Sequence, residues 1–164
     1  GLIPDVSIQI MMHGLDPSLL DIFAVDVLET PDAVRERSCL DRIYTEMQTD
    51  DHLFAPWGYS LNGVKDRNYF TVHVTPQREG SYASFETNVS EADYSRTIGD
   101  VLSIFSPDRF SLVHRADCSD GSFPWDPDVV NSENGYHMTR TGSFQSNGNY
   151  RVSLMNWMKG STSD

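Results

Sequence analysis

Basic residues, cysteines and long apolar runs are all scarce in this sequence, and each shortage removes a class of function. Twelve Lys and Arg stand against twenty-four Asp and Glu, a formal charge of −12. A surface that grips nucleic acid must neutralise phosphates with cationic side chains, so that partner is excluded. The same charge is compatible with a cationic ligand, because a negative protein concentrates cations around itself, although solubility alone accounts for it equally well. Cys39 and Cys118 are the two cysteines and lie far apart. They suggest neither a disulfide framework nor a zinc site, and no metal is expected. No apolar stretch approaches the roughly 20 residues that span a bilayer, so no membrane partner is expected. The start, Gly1-Leu2-Ile3-Pro4-Asp5, has no initiator Met and none of the basic and small-residue pattern of a signal peptide. A processed or partial chain in a reducing, cytoplasmic compartment is the expectation. Asn88-Val89-Ser90 fits a glycosylation pattern and carries little meaning without a secretory signal.

What is present reads as one globular α+β unit, with 38% hydrophobic residues and regularly spaced turn signals. Val6, Ile8, Ile10 and Met12 alternate with polar or sulfur-bearing neighbours, the period of a strand. Asp16-Pro17 and Thr30-Pro31 are helix starts, the second ahead of a segment running to Ile43 and Tyr44. Leu53 to Asn62 predicts one strand, irregular or at an edge because of Pro56 and Gly58. Tyr69–Thr75 and Ser81–Asn88 predict a hairpin around the turn 76–80. Ser90-Glu91-Ala92-Asp93 resembles a capping box opening a helix that ends at Ser106-Pro107. Further strands are predicted at 109–115, 136–142 and 150–157, with a turn over 146–149. Residues 117–133 are predicted to be a mobile loop and 160–164 a disordered tail, leaving 1–159 as the folded unit. The sum is an antiparallel sheet with helices on one face.

One face of the predicted hairpin carries His73, Tyr82, Ser84 and Glu86, which cannot lie under a helix without large desolvation costs. They must face solvent, a second sheet with polar content, or a site. Alone, His73 is more often a hydrogen-bonded structural histidine than a catalytic one, and Glu86 more often a solvated strand residue. The sequence holds no Gly-x-Ser-x-Gly elbow, since Asn62 stands where its second glycine belongs. Walker, dinucleotide-binding, His-Glu-x-x-His and EF-hand patterns are likewise missing.

Three segments carry the reading further. Phe54-Ala55-Pro56-Trp57-Gly58-Tyr59-Ser60-Leu61-Asn62-Gly63, Thr71-Val72-His73-Val74-Thr75-Pro76 and Ser81-Tyr82-Ala83-Ser84-Phe85-Glu86-Thr87-Asn88 follow one another at short spacing. In order and spacing they resemble signature segments of eukaryotic-type S-adenosylmethionine decarboxylases. The resemblance covers nearly the whole chain but only about the second half of that family's proenzyme. It implies half of a four-layer αββα sandwich, with the polar face meeting the sheet of an N-terminal half. It also implies a pyruvoyl cofactor, made by self-cleavage at a Glu-Ser pair in that N-terminal half. The pyruvoyl group captures the amine of S-adenosylmethionine and serves as the electron sink for loss of CO2. No Glu-Ser dipeptide occurs in this chain, which is therefore expected to be inert alone.

By the same resemblance, His73 is the base of the elimination step in self-processing, and Ser60 assists by hydrogen bonding. Phe54 stacks on the substrate's adenine. Gln77 stands where a glutamate grips the ribose hydroxyls, and its neutral oxygen should cost about 1 kcal/mol, near tenfold in affinity. Asp5, Ser7, Glu86 and Tyr150 correspond to a putrescine pocket in which Gln9 replaces a second acid. Trp57 replaces a cysteine beside Ser60. Three functional readings follow: the C-terminal part of an active decarboxylase in polyamine biosynthesis, a catalytically silent paralogue that activates or scaffolds a partner, and a polyamine-sensing module. A homodimer and a heterodimer are both compatible with the sequence.

Overall fold

A computed structural model of the chain describes residues 5–24, 30–118, 135–146 and 149–160. Its centre is an eight-stranded, fully antiparallel sheet. The strands are β1 (Val6–His13), β2 (Gln48–Leu53), β3 (Tyr59–Lys65), β4 (Asn68–Thr75), β5 (Tyr82–Thr87), β6 (Arg109–Asp117), β7 (Tyr136–Gln145) and β8 (Tyr150–Lys159). They lie in the order β2-β3-β4-β5-β1-β6-β8-β7. The helices are α1 (Pro17–Leu20), α2 (Pro31–Ser38) and α3 (Ser95–Phe105), with 3-10 turns over Asp21–Phe23 and Leu40–Arg42.

Strand alternation divides the sheet into two unlike faces. Ile8, Ile10 and Met12 of β1, Val72 of β4, Phe85 of β5 and Leu112 of β6 are wholly buried on one face, beneath the helices. Ile98, Val101 and Phe105, at helical spacing on α3, complete that core from the other side. The opposite face has no covering layer among the described residues. It carries the polar alternates of the same strands, His73 among them.

Three predicted elements differ from the structure. The strand expected across 53–62 is two strands, β2 and β3, separated by a turn over 54–58 that contains a cis Ala55-Pro56 bond. The Gln48–Leu53 stretch escaped a period-two reading because its inward residue, Asp51, is charged: it accepts hydrogen bonds from Arg35 of α2 and from the buried Tyr59 hydroxyl. The helix opened at Thr30 ends at Ser38, where Cys39 turns left-handed at φ 63°, and does not run on to Tyr44. Residues 90–93 do not form a capping box. Glu91 instead accepts from Tyr44 and Thr97, and Asp93 accepts from the amide and hydroxyl of Ser95, where α3 begins.

Asp117 closes β6 and Cys118 follows it. The remainder of the 117–133 stretch lies outside the described residues, as do 147–148 and 161–164. Gly160, expected in the tail, instead donates its amide to the carbonyl of Gly135 at 2.7 Å.

Candidate active site

The uncovered face is built by register. Cross-strand partners put His52, Ser60, His73, Ser84, Met11, Ser111 and Asn156 in one row across seven strands. Side chains directly opposite one another on a common face have Cβ atoms about 5 Å apart. Ser60 is therefore flanked by His73 on β4 and by His52 on β2. The two sequence-predicted catalytic positions, Ser60 and His73, are immediate neighbours although thirteen positions apart in the chain. Ser60 is half-buried and His73 exposed, so both reach whatever meets this face.

Tyr59 anchors the row. Alternation turns it inward, where it is wholly buried, and its hydroxyl donates to Asp51 at 2.8 Å. Burial first, then the Asp51 carboxylate, raises the Tyr59 pKa strongly, so it stays a neutral donor. Asp51 is held in turn by Arg35. Gly63 allows the close approach of Phe70 opposite it: a Cβ there would lie 2.0 Å from Phe70 Cε1.

Phe54 lies just beyond β2 and is 47% exposed, an aromatic face open to a ligand. Its amide donates to the carbonyl of Gly58 at 2.8 Å, closing the turn. Trp57, on the same turn, is also exposed and bridges to Ala24. With Leu20, Pro76, Gln77 and Arg78 it lines a groove of about 530 Å3 at the end of β4. Gln77 is exposed there, beside an Arg78–Asp21 pair at 3.6 Å.

A second cluster sits on the same face, one row and more away. Glu86 on β5 faces Thr71 on β4 and Gln9 on β1, and it accepts a hydrogen bond of 2.6 Å from the Tyr69 hydroxyl. Burial, and next the Glu86 contact, push the Tyr69 pKa up to about 12. Asp5 accepts from Arg115 at 2.9 Å and from the Tyr150 hydroxyl at 3.1 Å, and the guanidinium lies 4.6 Å over the Tyr150 ring. Ser7 stands opposite Arg115. Asp5, Ser7, Glu86 and Tyr150 thus share one face, and Tyr69 and Arg115 join them.

Neither Tyr69, Arg115 nor His52 was singled out by sequence. Alternation held the signal for the first two: Tyr69 has the parity of His73 on β4, and Arg115 that of Arg109 and Ser111 on β6. His52 lay in a strand whose charged inward residue concealed it. Among the described residues no group of three or more His, Cys, Asp or Glu could hold a metal ion, and no helix is long and apolar enough to cross a membrane.

Comparison with known proteins identifies the fold and the family. A model of the adenosylmethionine decarboxylase family matches residues 3–157. Among curated relatives, the S-adenosylmethionine decarboxylase proenzyme of Drosophila melanogaster is 40% identical over 67% of this chain and 32% of its own length. The proenzyme of Xenopus laevis is 40% identical over 65% of this chain and 32% of its length. That of Dictyostelium discoideum is 37% identical over 73% and 31% respectively. The chain thus spans about a third of the curated relatives it matches. The crystal structure of the Trypanosoma brucei AdoMetDC-delta26 monomer superposes with a TM-score of 0.83 at 26% identity, over 94% of this chain and 65% of that one. The order of the three signature segments, the antiparallel sheet they build and the family match converge: this chain belongs to the adenosylmethionine decarboxylase family.

Proposed function

We propose that this chain is the C-terminal part of a pyruvoyl-dependent S-adenosylmethionine decarboxylase, inert without an N-terminal part that supplies the pyruvoyl-forming serine. The observation that carries the reading is the uncovered sheet face. It presents Ser60 beside His73, and elsewhere on the same face Val64 of β3, Leu154 and Met158 of β8 and Phe144 of β7 are exposed hydrophobics. Apolar side chains of that size on a polar sheet face favour a covering partner, since each buried one contributes about 1.5–3 kcal/mol. A second sheet with polar content satisfies both kinds of residue, and the relatives' name of proenzyme fits a precursor that is cut.

In this reading, the pyruvoyl group supplies the electron sink for loss of CO2 from S-adenosylmethionine. The residues of this chain prepare and shape the site. His73 takes the proton in the elimination that completes self-processing. Ser60, held between strands by the anchored Tyr59, hydrogen-bonds the group being formed. Phe54 offers its ring to the adenine, and Gln77 a single neutral acceptor to the ribose.

The acidic cluster supports a more limited statement about putrescine. Asp5 already pairs with Arg115, and Gln9 leaves Glu86 without a second acid beside it. A diamine would have to compete with a guanidinium for Asp5, so weak diamine control is the expectation.

The silent-paralogue reading rests on Gln77, Gln9 and Trp57. One experiment separates the two. In full-length protein, intact-mass spectrometry should reveal a chain beginning with a pyruvoyl group, together with release of CO2 from S-adenosylmethionine. His73→Ala should leave an unresolved ester that hydroxylamine cleaves. Full-length protein that remains uncut would establish the silent paralogue, and normal pyruvoyl formation in His73→Ala would remove His73 from its role.

A further inference from the structure

His52 belongs to no assigned site, yet it is paired in register with Ser60 and its ring meets that of Phe54. It lies opposite Ser60, on the side away from His73. Its ring also meets Phe54 edge-on, with centroids 4.5 Å apart and planes at 64°. The local fold holds it there. Its neighbour Asp51 is turned inward and bound by Arg35 and Tyr59, which fixes the pleat of edge strand β2 and sends His52 outward. The Phe54 backbone is held by its hydrogen bond to Gly58, leaving the half-exposed ring free to rotate unless something packs against it.

We infer that His52 is a positioning residue for substrate: its imidazole fixes the plane of the Phe54 ring, so that the ring presents a face to a flat heteroaromatic base. An edge-on contact uses one side of an aromatic pair and leaves the other ring surface free to stack. Pre-ordering the ring removes the entropy that binding would otherwise have to overcome, so the effect falls on affinity. The inference rests on the proposed function in one respect, that Phe54 receives the substrate's adenine.

The test uses full-length protein and 5′-deoxy-5′-methylthioadenosine, an adenine nucleoside without the reactive amine, titrated by calorimetry. His52→Ala should weaken binding about fivefold, the size of one aromatic pair. His52→Phe should bind within about twofold of the unmodified protein, because it restores a ring without the imidazole nitrogens. KM for S-adenosylmethionine should rise in His52→Ala while kcat holds. An unchanged Kd in His52→Ala, or failure of His52→Phe to restore it, overturns the assignment. So does an unmodified protein that does not bind the nucleoside. Pyruvoyl content, read by mass in the same preparations, tests the proposed function separately, because nucleoside binding does not require the cofactor to have formed.

Discussion

His114 should make this fold sensitive to mild acid. It sits on β6 opposite Ile8 of β1 and Ser153 of β8, wholly buried on the helical face, with the Tyr94 ring 6.0 Å away. Burial first, and the charge of Arg151 next, depress its pKa from 6.5 to about 4. The sign follows from linkage. Between those two values the unfolded chain binds a proton that the folded protein refuses, so stability rises with pH. The contribution is fully present above about pH 6.5 and is lost progressively toward pH 4. At about pH 5 the two pKa values give a loss near 2 kcal/mol relative to pH 7.5. Other groups also titrate in acid, so the measurement is a difference. Urea unfolding of full-length protein at both pH values, for unmodified and His114→Leu forms, isolates the term. The unmodified protein should lose about 2 kcal/mol more than the variant over that interval, whatever the variant's absolute stability. Parallel losses, agreeing within about 0.5 kcal/mol, would refute the buried neutral imidazole.

Gly63→Ala should destabilise the protein by about 1–3 kcal/mol, because its Cβ would enter the wholly buried Phe70 ring, itself packed on Tyr44 and Phe85. A strand ordinarily gains roughly 0.5–1 kcal/mol from losing glycine, so an increase in the melting temperature would show that the ring has room to move. If the proposed function holds, Gln77→Glu should tighten binding of S-adenosylmethionine about tenfold, because a carboxylate would give the ribose hydroxyls a charge-assisted contact. The KM of full-length protein reads this, and a value unchanged within about twofold would detach position 77 from the ribose.

Much of the architecture was legible in the chain because it follows from local rules. Alternation in β1, β4 and β5 and helical spacing in α3 name the buried residues directly. Asp16 and Thr30 accept the amide hydrogen bonds their positions call for. The reading failed where a tertiary contact reversed a local preference. Asp51 is a charged residue pointing into the helical face, which disguised β2, and left-handed Cys39 stopped α2 early. Residues 90–93 have the pattern of a capping box, but the Glu91 carboxylate is drawn to Tyr44 and Thr97 and the helix starts later, at Ser95.

The candidate site divides in the same way. The sequence determined which residue types are available: an alternating strand with His73, a second with Ser84 and Glu86, a serine after Gly58-Tyr59, and segments ordered as in one family of decarboxylases. Local chemistry and order along the chain are enough for that. Only the tertiary structure decided what stands beside what. Register placed Ser60 between two imidazoles, turned Arg115 onto Asp5 and brought Tyr69 to Glu86. Those pairings depend on hydrogen-bond register between strands distant in sequence, and a shift of a single residue would send every one of these side chains to the opposite face.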